Sequence, residues 1–460
     1  MLGPLLRPDL QLLIQEKQWD VLRDVLSSFD PSDIAEILIE VPDEDDVALF
    51  RLLPRSLAGR VFAYLPLDHQ ENLLRCLSNA QMRQVLAAMS PDDQTRLLEE
   101  LPAAVTRRLL EALSPQELRA ARDLLGYPAE TAGRYMTPQY VALAADMTAR
   151  EALEHVRRTG RGKETLSILY VLDADGKLLK ELRLGSLVLA DPDVKVSDIE
   201  DRPLVSIPAT TDREEALRAF QKYDRAALPV VDRDGHMLGI ITADDMLDVA
   251  TSEATEDIQK IGGMEALDAP YLDVGYKQMV WKRGGWLSAL FLGEMLTATA
   301  MTYFQGEIEK AVVLAMFVPL IISSGGNSGS QAATLIVRSL ALTEPRLRDW
   351  WRVLLRELRS GVTLGAWLGL IGFFRIWLWQ HLHLYDYGEH YLMVALTVWL
   401  SLVGVVTFGS LSGSMLPFLL RRLGLDPATS SAPFVATLVD VTGLVIYFTV
   451  AYVVLRGILL

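Results

Sequence analysis

Asp440 stands near the middle of the apolar run SSAPFVATLVDVTGLVIYFTVAYVVL, which begins at Ser430. A run of that length crosses a hydrocarbon core about 30 Å thick, for which about 20 apolar residues suffice. An ionised Asp at the centre of a lipid-facing helix costs about 2.5–3.5 kcal/mol, so it has to face protein, water or a cation. Its helical neighbours Ala436, Thr437 and Gly443 are small and leave room for another helix or a hydrated ion. The plainer alternative is a carboxylate protonated or paired for structure; placement at mid-membrane favours an ion pathway.

Other oxygen donors lie in the same half of the chain. Glu294 is a second acid inside an apolar segment. The stretch SSGGNSGSQ, 323–331, follows Pro319 and offers Asn327, Ser328, Ser330 and Gln331. It reads as a break in a helix, and backbone freed by a break must be covered by protein or line a watery path. Helix packing through its glycines is the competing reading. Glu307 and Glu309 fall in a loop on one side, and Asp426 lies at the start of the last segment on the other.

Five apolar segments carry these residues: about 285–304, 311–335, 353–379, 392–420 and 430–454. Basic residues cluster at Lys282 and Arg283, between the second and third segments from Arg338 to Arg359, and at Arg421 and Arg422. All fall on one side if the N-terminus is cytoplasmic, which predicts an inner-membrane protein with its C-terminus outside. Arg375 is expected to snorkel.

The net charge of −15 comes from the other half. Residues 1–130 hold 13 Lys+Arg against 22 Asp+Glu, residues 131–280 hold 18 against 27, and residues 281–460 hold 13 against 10. Such acidity argues against nucleic acid, which needs cationic surface, and suits a divalent cation. One cysteine, Cys76, excludes an internal disulfide and a cysteine-based zinc site. The opening MLGPLLRPDLQ lacks a signal-length apolar core, so the first half is expected to stay in the cytoplasm.

Within residues 1–130, helix-breaking positions recur every 12 residues at Pro42, Pro54, Pro66, Ser78, Ser90, Pro102 and Ser114. Each unit reads as one short helix, and short helices at fixed period must stack, which predicts an all-α superhelix. Asp92 and Asp93 sit where acids favour a helix dipole. Residues 131–250 hold two copies of a β-α-β-β unit, TLSILYVLDADGKLLKELRL being echoed by AALPVVDRDGHMLGIITADD around a D-x-D-G turn. The acids Asp212, Glu214, Asp224, Asp244 and Asp245 are spread over the second copy. Residues 251–280 open with a helix bearing Glu253, Glu256 and Asp257, ended by Gly262-Gly263.

The duplicated unit resembles a tandem pair of CBS domains, with MTP at 136–138 and LPVVD at 228–232. With the acidic repeat, the connecting helix and the membrane motifs PLIISSGGNSGSQ and DPATSSAPFVATLVDVTG, nearly the whole chain resembles the MgtE family of magnesium transporters. The resemblance implies a homodimer in the bilayer, Mg²⁺-selective, with the pore between two membrane halves. Asp440 falls on its pore aspartate, and Asn327, Ala432, Asp426, Glu309 and Glu294 are further candidates for the path. It also implies closure by cytosolic Mg²⁺ bridging acidic faces, at Asp92, Asp93, Asp212, Glu214, Asp224, Asp245, Glu253, Glu256 and Asp257. Where family members often read Arg-Asp at positions tied to ATP binding this chain has Gly185-Ser186, and Arg225 replaces an aromatic, so ATP modulation is not expected. Before Pro433 some members have Asn and this chain has Ala432, which leaves backbone, Ser430 or Ser431 as donors there.

A membrane metalloprotease would need an H-E-x-x-H pattern, and none of the six histidines forms one. An anion pore is the wrong sign for Asp440. A membrane-tethered CBS sensor, or a carrier of Co²⁺, Mn²⁺ or Ni²⁺, remains the alternative.

Overall fold

The computed structural model describes residues 2–267, 271–272, 274–341 and 346–457. The chain forms two compact units, Met1–Ala250 and Thr251–Leu460.

The first unit opens with ten helices, α1 (Leu2–Gln15) to α10 (Pro115–Leu125). Each residue of the twelve-residue beat is an N-cap, from Pro42 ahead of α4 (Asp43–Leu52) to Ser114 ahead of α10. Ser78 and Ser114 form capping boxes with Gln81 and Glu117, Ser90 accepts the Asp93 N–H, and proline presets an extended backbone at Pro42, Pro54, Pro66 and Pro102. Leu113 before Ser114 is partly buried, and the residue just before each cap from Pro42 to Pro102, among them Leu53, Leu65, Leu77, Met89 and Leu101, is buried. Each contributes roughly 1.5–3 kcal/mol of apolar burial. Helices pack on the helix two further along, α3 (Pro31–Glu40) on α5 (Arg55–Ala63), α5 on α7 (Asn79–Leu86) and α7 on α9 (Ala103–Ala112), which gives the stacked superhelix.

Two matched three-stranded sheets follow. In the first, β1 (Ala142–Ala144) is parallel to β2 (Ile168–Leu172), which is antiparallel to β3 (Leu178–Arg183). The second repeats this with β4 (Ile207–Pro208), β5 (Ala227–Val231) and β6 (Met237–Thr242). Helix α11 (Ala149–Thr159) and α12 (Leu184–Leu189) accompany the first, and α13 (Arg213–Tyr223) and α14 (Ala243–Ile261) the second. The D-x-D-G turns behave alike: Asp173 and Asp232 each accept two backbone N–H groups through Oδ1, with Gly176 and Gly235 at φ of 86° and 87°. Asp232, Asp234 and His236 cluster there, but Asp232 is already committed to its own turn.

The second unit is helical. Helix α15 (Tyr276–Tyr303) is followed by the short α16 (Gln305–Lys310) and α17 (Val312–Ala315). The long helices α18 (Val318–Ala341), α19 (Trp350–His381), α20 (Tyr391–Arg422) and α21 (Ala432–Leu455) complete it. Among the described residues four segments are long and apolar enough to cross a membrane: Val312–Leu340, Leu347–His381, Tyr391–Arg422 and Ala432–Leu455. The first expected span corresponds to α15, which at about 1.5 Å per residue is ample in length. It carries Glu294 and three threonines and is less apolar than the others.

The expected break at SSGGNSGSQ is corrected. Helix α18 runs uninterrupted through it, and the chain bends before Pro319, between α17 and α18, where the Leu314 carbonyl accepts both the Phe317 N–H and, at 2.8 Å, the Tyr447 hydroxyl. The glycines serve packing instead. A Cβ on Gly409 would stand 2.2 Å from the Gly325 carbonyl oxygen, and one on Gly413 would stand 2.0 Å from that of Gly329. Gly361, Gly365 and Gly369 of α19 bring it equally close to α20, while the Trp399 indole donates to the Ala366 carbonyl. Between apolar helices in lipid, such close contact is the available source of cohesion.

Gly409→Ala is therefore expected to lower stability by about 1–3 kcal/mol through overpacking against backbone. Gly284→Ala in α15, whose Cβ meets nothing within 4 Å, is expected to be neutral or stabilising. Thermal unfolding of the detergent-purified protein compares the two.

Candidate functional site

In the first unit the acids of two helix starts and one loop converge. Asp92 and Asp93 occupy the first turn of α8 (Pro91–Glu100), where Ser90 accepts the Asp93 N–H. Asp244 and Asp245 occupy the first turn of α14, and Asp245 accepts the Thr242 hydroxyl at 2.7 Å. Glu164, in the loop between α11 and β2, donates its backbone N–H to the Gln139 carbonyl. Burial and then Asp93 push the Asp92 carboxyl well above the usual range, with Glu164 adding to it. Burial and then Asp92 do the same to Asp245. Glu164 is raised to about 7 by burial, then by Asp245, Asp244 and Asp93. Asp92 Oδ1 is buried with no hydrogen-bond partner. Among the described residues the cation in contact with the group is Arg96, which reaches Asp93 at 3.3 Å and the neighbouring Asp248 at 3.4 Å.

These five carboxylates offer only hard oxygen donors, a set that suits Mg²⁺ or Ca²⁺ and not a soft metal. Sequence reading named Asp92, Asp93 and Asp245. It missed Glu164, a loop acid marked by no pattern, and left Asp244 out of its metal set. The other sensor candidates lie elsewhere. Asp212 caps α13 by accepting the Glu214 N–H at 2.8 Å, Glu214 pairs with Arg218, and Asp224 is the left-handed C-cap at φ of 50°.

In the second unit the connecting helix ends against the membrane helices. Lys260 of α14 lies 2.6 Å from Glu256, one turn back, and 2.6 Å from Asp426 in the turn before α21. Burial opposes its charge, but the two carboxylates outweigh that and hold the ammonium above the usual lysine range. Asp426 also caps its turn through the Ala428 N–H, so both of its oxygens are engaged. Glu253 and Asp257 are one turn apart on the same helix. Residues 268–270 and 273 of the connector lie outside the described residues. At Gly263, φ 75°, a Cβ would meet Trp286 at 2.9 Å and Pro433 at 3.0 Å, and Trp286 donates to Ser431, the N-cap of α21. The helix end thus abuts the start of the Asp440 helix.

Asp440 is half-buried on α21, and Glu294 on the neighbouring α15 is close enough to interact with it electrostatically. Asn327 is exposed on α18, with Gly326 beside Ala436. The Ala432 carbonyl accepts the Ser330 hydroxyl at 3.2 Å, and Ser431 is occupied as the cap, while the Ser430 hydroxyl is buried without a partner. Glu309 accepts a hydrogen bond from Gln305 in α16.

A bundle of long apolar helices with an intramembrane acid, joined through a CBS pair to a carboxylate cluster, defines a cation-handling membrane protein with a built-in sensor. The comparisons narrow the class. Residues 318–450 match the MgtE divalent cation transporter family, 29–130 its intracellular N domain, and 132–190 and 196–252 CBS domains. The chain is 38% identical over 452 residues to the magnesium transporter MgtE of Thermus thermophilus, covering 98% of each. It is 32% identical to the magnesium transporter MgtE of Enterococcus faecalis, covering 74% of this chain and 73% of that one. The cytosolic domain of the Mg²⁺ channel MgtE solved with ATP matches at 35% identity and a TM-score of 0.50, covering 52% of this chain and 98% of that chain. The soluble part of a magnesium transporter matches at 27% identity and TM-score 0.50, covering 53% and 96%. The chain belongs to the MgtE family.

The raised carboxylates fix a sign for pH dependence. A folded pKa above the unfolded value stabilises the fold at low pH, and that stabilisation is lost as pH rises from about 4 through about 7. The metal-free protein is therefore expected to resist proteolysis within residues 1–250 better at about pH 5 than at about pH 8. Added Mg²⁺ should restore resistance at the higher pH, and Asp92→Asn with Asp245→Asn should flatten the dependence.

Proposed function

We propose that this protein carries Mg²⁺ across the cytoplasmic membrane and is closed by cytosolic Mg²⁺ held among its own carboxylates. Asp440 carries the reading: it is an acid within a membrane-crossing helix, half-exposed on the surface of one chain with the donors of Asn327 also turned outward. A half-exposed intramembrane acid needs water, a cation or protein against it. A second copy of the chain supplies the missing wall, which supports a homodimer with the pathway between copies. Mg²⁺ sheds water reluctantly, so Asp440 is expected to hold the ion through its hydration shell, with the Ala432 backbone and Asn327 beside it. Glu294 adds negative charge along that path. Asp426, tied to Lys260 and its own turn, positions the start of the Asp440 helix. Glu309 belongs to the outer approach.

The regulatory ion fits the acid cluster, where Asp92 keeps a buried oxygen without a partner. Asp92, Asp93, Glu164, Asp244 and Asp245 would hold it, and its charge cancels their repulsion. Two unit charges at about 4 Å repel by about 4 kcal/mol at an effective dielectric of 20. Without the cation the cluster opens, and α14, which carries Asp245 at one end and Lys260 at the other, transmits the change to the turn before α21. As the resemblance implies, Asp212, Glu214 and Asp224 on α13, and Glu253, Glu256 and Asp257 on the second half of α14, are further acidic positions for regulatory Mg²⁺.

ATP is left out of this regulation. The side chains of Arg225 and Glu181, 7% and 5% exposed, form an ion pair 3.0 Å long, and Arg225 also donates to the Pro203 carbonyl. That arginine fills the position where the resemblance calls for an aromatic.

The first test is Mg²⁺ uptake into vesicles holding the purified chain. Native protein is expected to take up Mg²⁺ at low Mg²⁺ on the cytosolic face, and Asp440→Ala to lose flux by on the order of a hundredfold, the equivalent of about 3 kcal/mol. Native protein that carries no divalent cation, or an Asp440→Ala variant that conducts as well as native, would contradict the proposal. Parallel uptake of Co²⁺, Mn²⁺ and Ni²⁺ reads the selectivity.

A further inference from the structure

A groove of about 740 Å³ runs along α20 between Ser412 and Arg422, walled by the start of α19 and by Leu438 of α21. Its volume is in the range of built ligand sites, about 300–1,000 Å³. The lining is largely apolar, with Leu354, Leu416 and Phe418 in it; Ser412 and Arg422 mark the two ends of the α20 stretch, and Arg348 and Trp350 line the groove as well. From Ser412 to Arg422 is ten residues of helix, about 15 Å, which is the depth of one leaflet of a hydrocarbon core about 30 Å thick. Trp350, Arg348 and Arg422 are of the residue types that gather at a membrane–water boundary.

From this we infer that the groove binds one anionic glycerophospholipid, an acyl chain lying along Leu416 and Leu438 with the phosphate between Arg348 and Arg422. Charge complementarity selects the occupant. Among the described residues neither arginine is in an ion pair, and the acid of the same turn, Asp349, is held by Arg352 at 3.7 Å and by the Arg346 N–H. Any acyl chain fits the apolar part; only a headgroup with net negative charge repays the two arginines. Leu438 lies two residues from Asp440, so the bound chain packs against the helix that bears the intramembrane acid. The inference needs only that this unit sits in a bilayer and does not depend on which ion is carried.

Native mass spectrometry of the purified full chain, titrated separately with phosphatidylglycerol and phosphatidylcholine, tests it. Tighter binding of phosphatidylglycerol is expected, weakened about tenfold in Arg348→Gln/Arg422→Gln. Leu416→Trp should weaken both lipids by filling the groove. Equal affinity for the two lipids, or no loss in the double arginine variant, overturns the inference. So does efficient cross-linking of two copies through Leu419→Cys in vesicles, which would show that a second chain covers the groove. Mg²⁺ uptake by the arginine variant, expected to persist, separates failure of the lipid site from failure of the transport reading.

Discussion

Carboxylates gathered with too little positive charge to balance them are the constraint around which this protein is built. In the first unit Asp92, Asp93, Glu164, Asp244 and Asp245 lie near enough to raise one another's ionisation cost, and among the described residues Arg96 is the cation that pairs with them. Such a group is stable only when protonated or when a cation lies among them. Helix starts make the arrangement possible: Ser90 caps α8, Thr242 steadies Asp245, and each dipole favours the acids of its first turn. The same residues that are cheap for the helix are costly for the cluster, and that tension is what the proposed regulation by a divalent cation would use.

The second unit meets the same constraint with a lysine. Lys260 sits between Glu256 and Asp426 with its ammonium in contact with both, and so ties the connecting helix to the turn before α21. On the proposed reading, the lysine is the fixed cation at this joint and Mg²⁺ the exchangeable one in the cluster. Rigidity beyond the joint comes from glycine. Gly325 and Gly329 against Gly409 and Gly413 let α18 and α20 touch through backbone, which holds the helix beside Asp440 in one position.

Much of this could be read from residue patterns because they are periodic or chemically exceptional. The twelve-residue beat marked the N-caps since proline and serine act locally there, and the D-x-D-G turns marked both hairpins. Asp440 was visible because an acid in an apolar run has no bland setting. The glycine-rich stretch of α18 misled, since the same composition serves a break or a close helix contact, and only the facing glycines of α20 decide between them. Glu164 was hidden for the opposite reason. It is one acid among many in a loop, and its role exists only through residues about 80 positions away in sequence, Asp244 and Asp245. Asp426 was legible as an acid near the pathway, but its engagement by Lys260 depends on a contact 166 residues apart.

The most direct measurement is Mg²⁺ uptake as a function of Mg²⁺ on the cytosolic face for a chain carrying Asp92→Asn, Glu164→Gln and Asp245→Asn together. These changes keep shape and remove both the repulsion and the ligands. The account predicts uptake that no longer responds to cytosolic Mg²⁺ while Asp440-dependent transport persists. Shut-off at the same Mg²⁺ concentration as the native chain would contradict it, because the switch would then lie outside the carboxylate cluster.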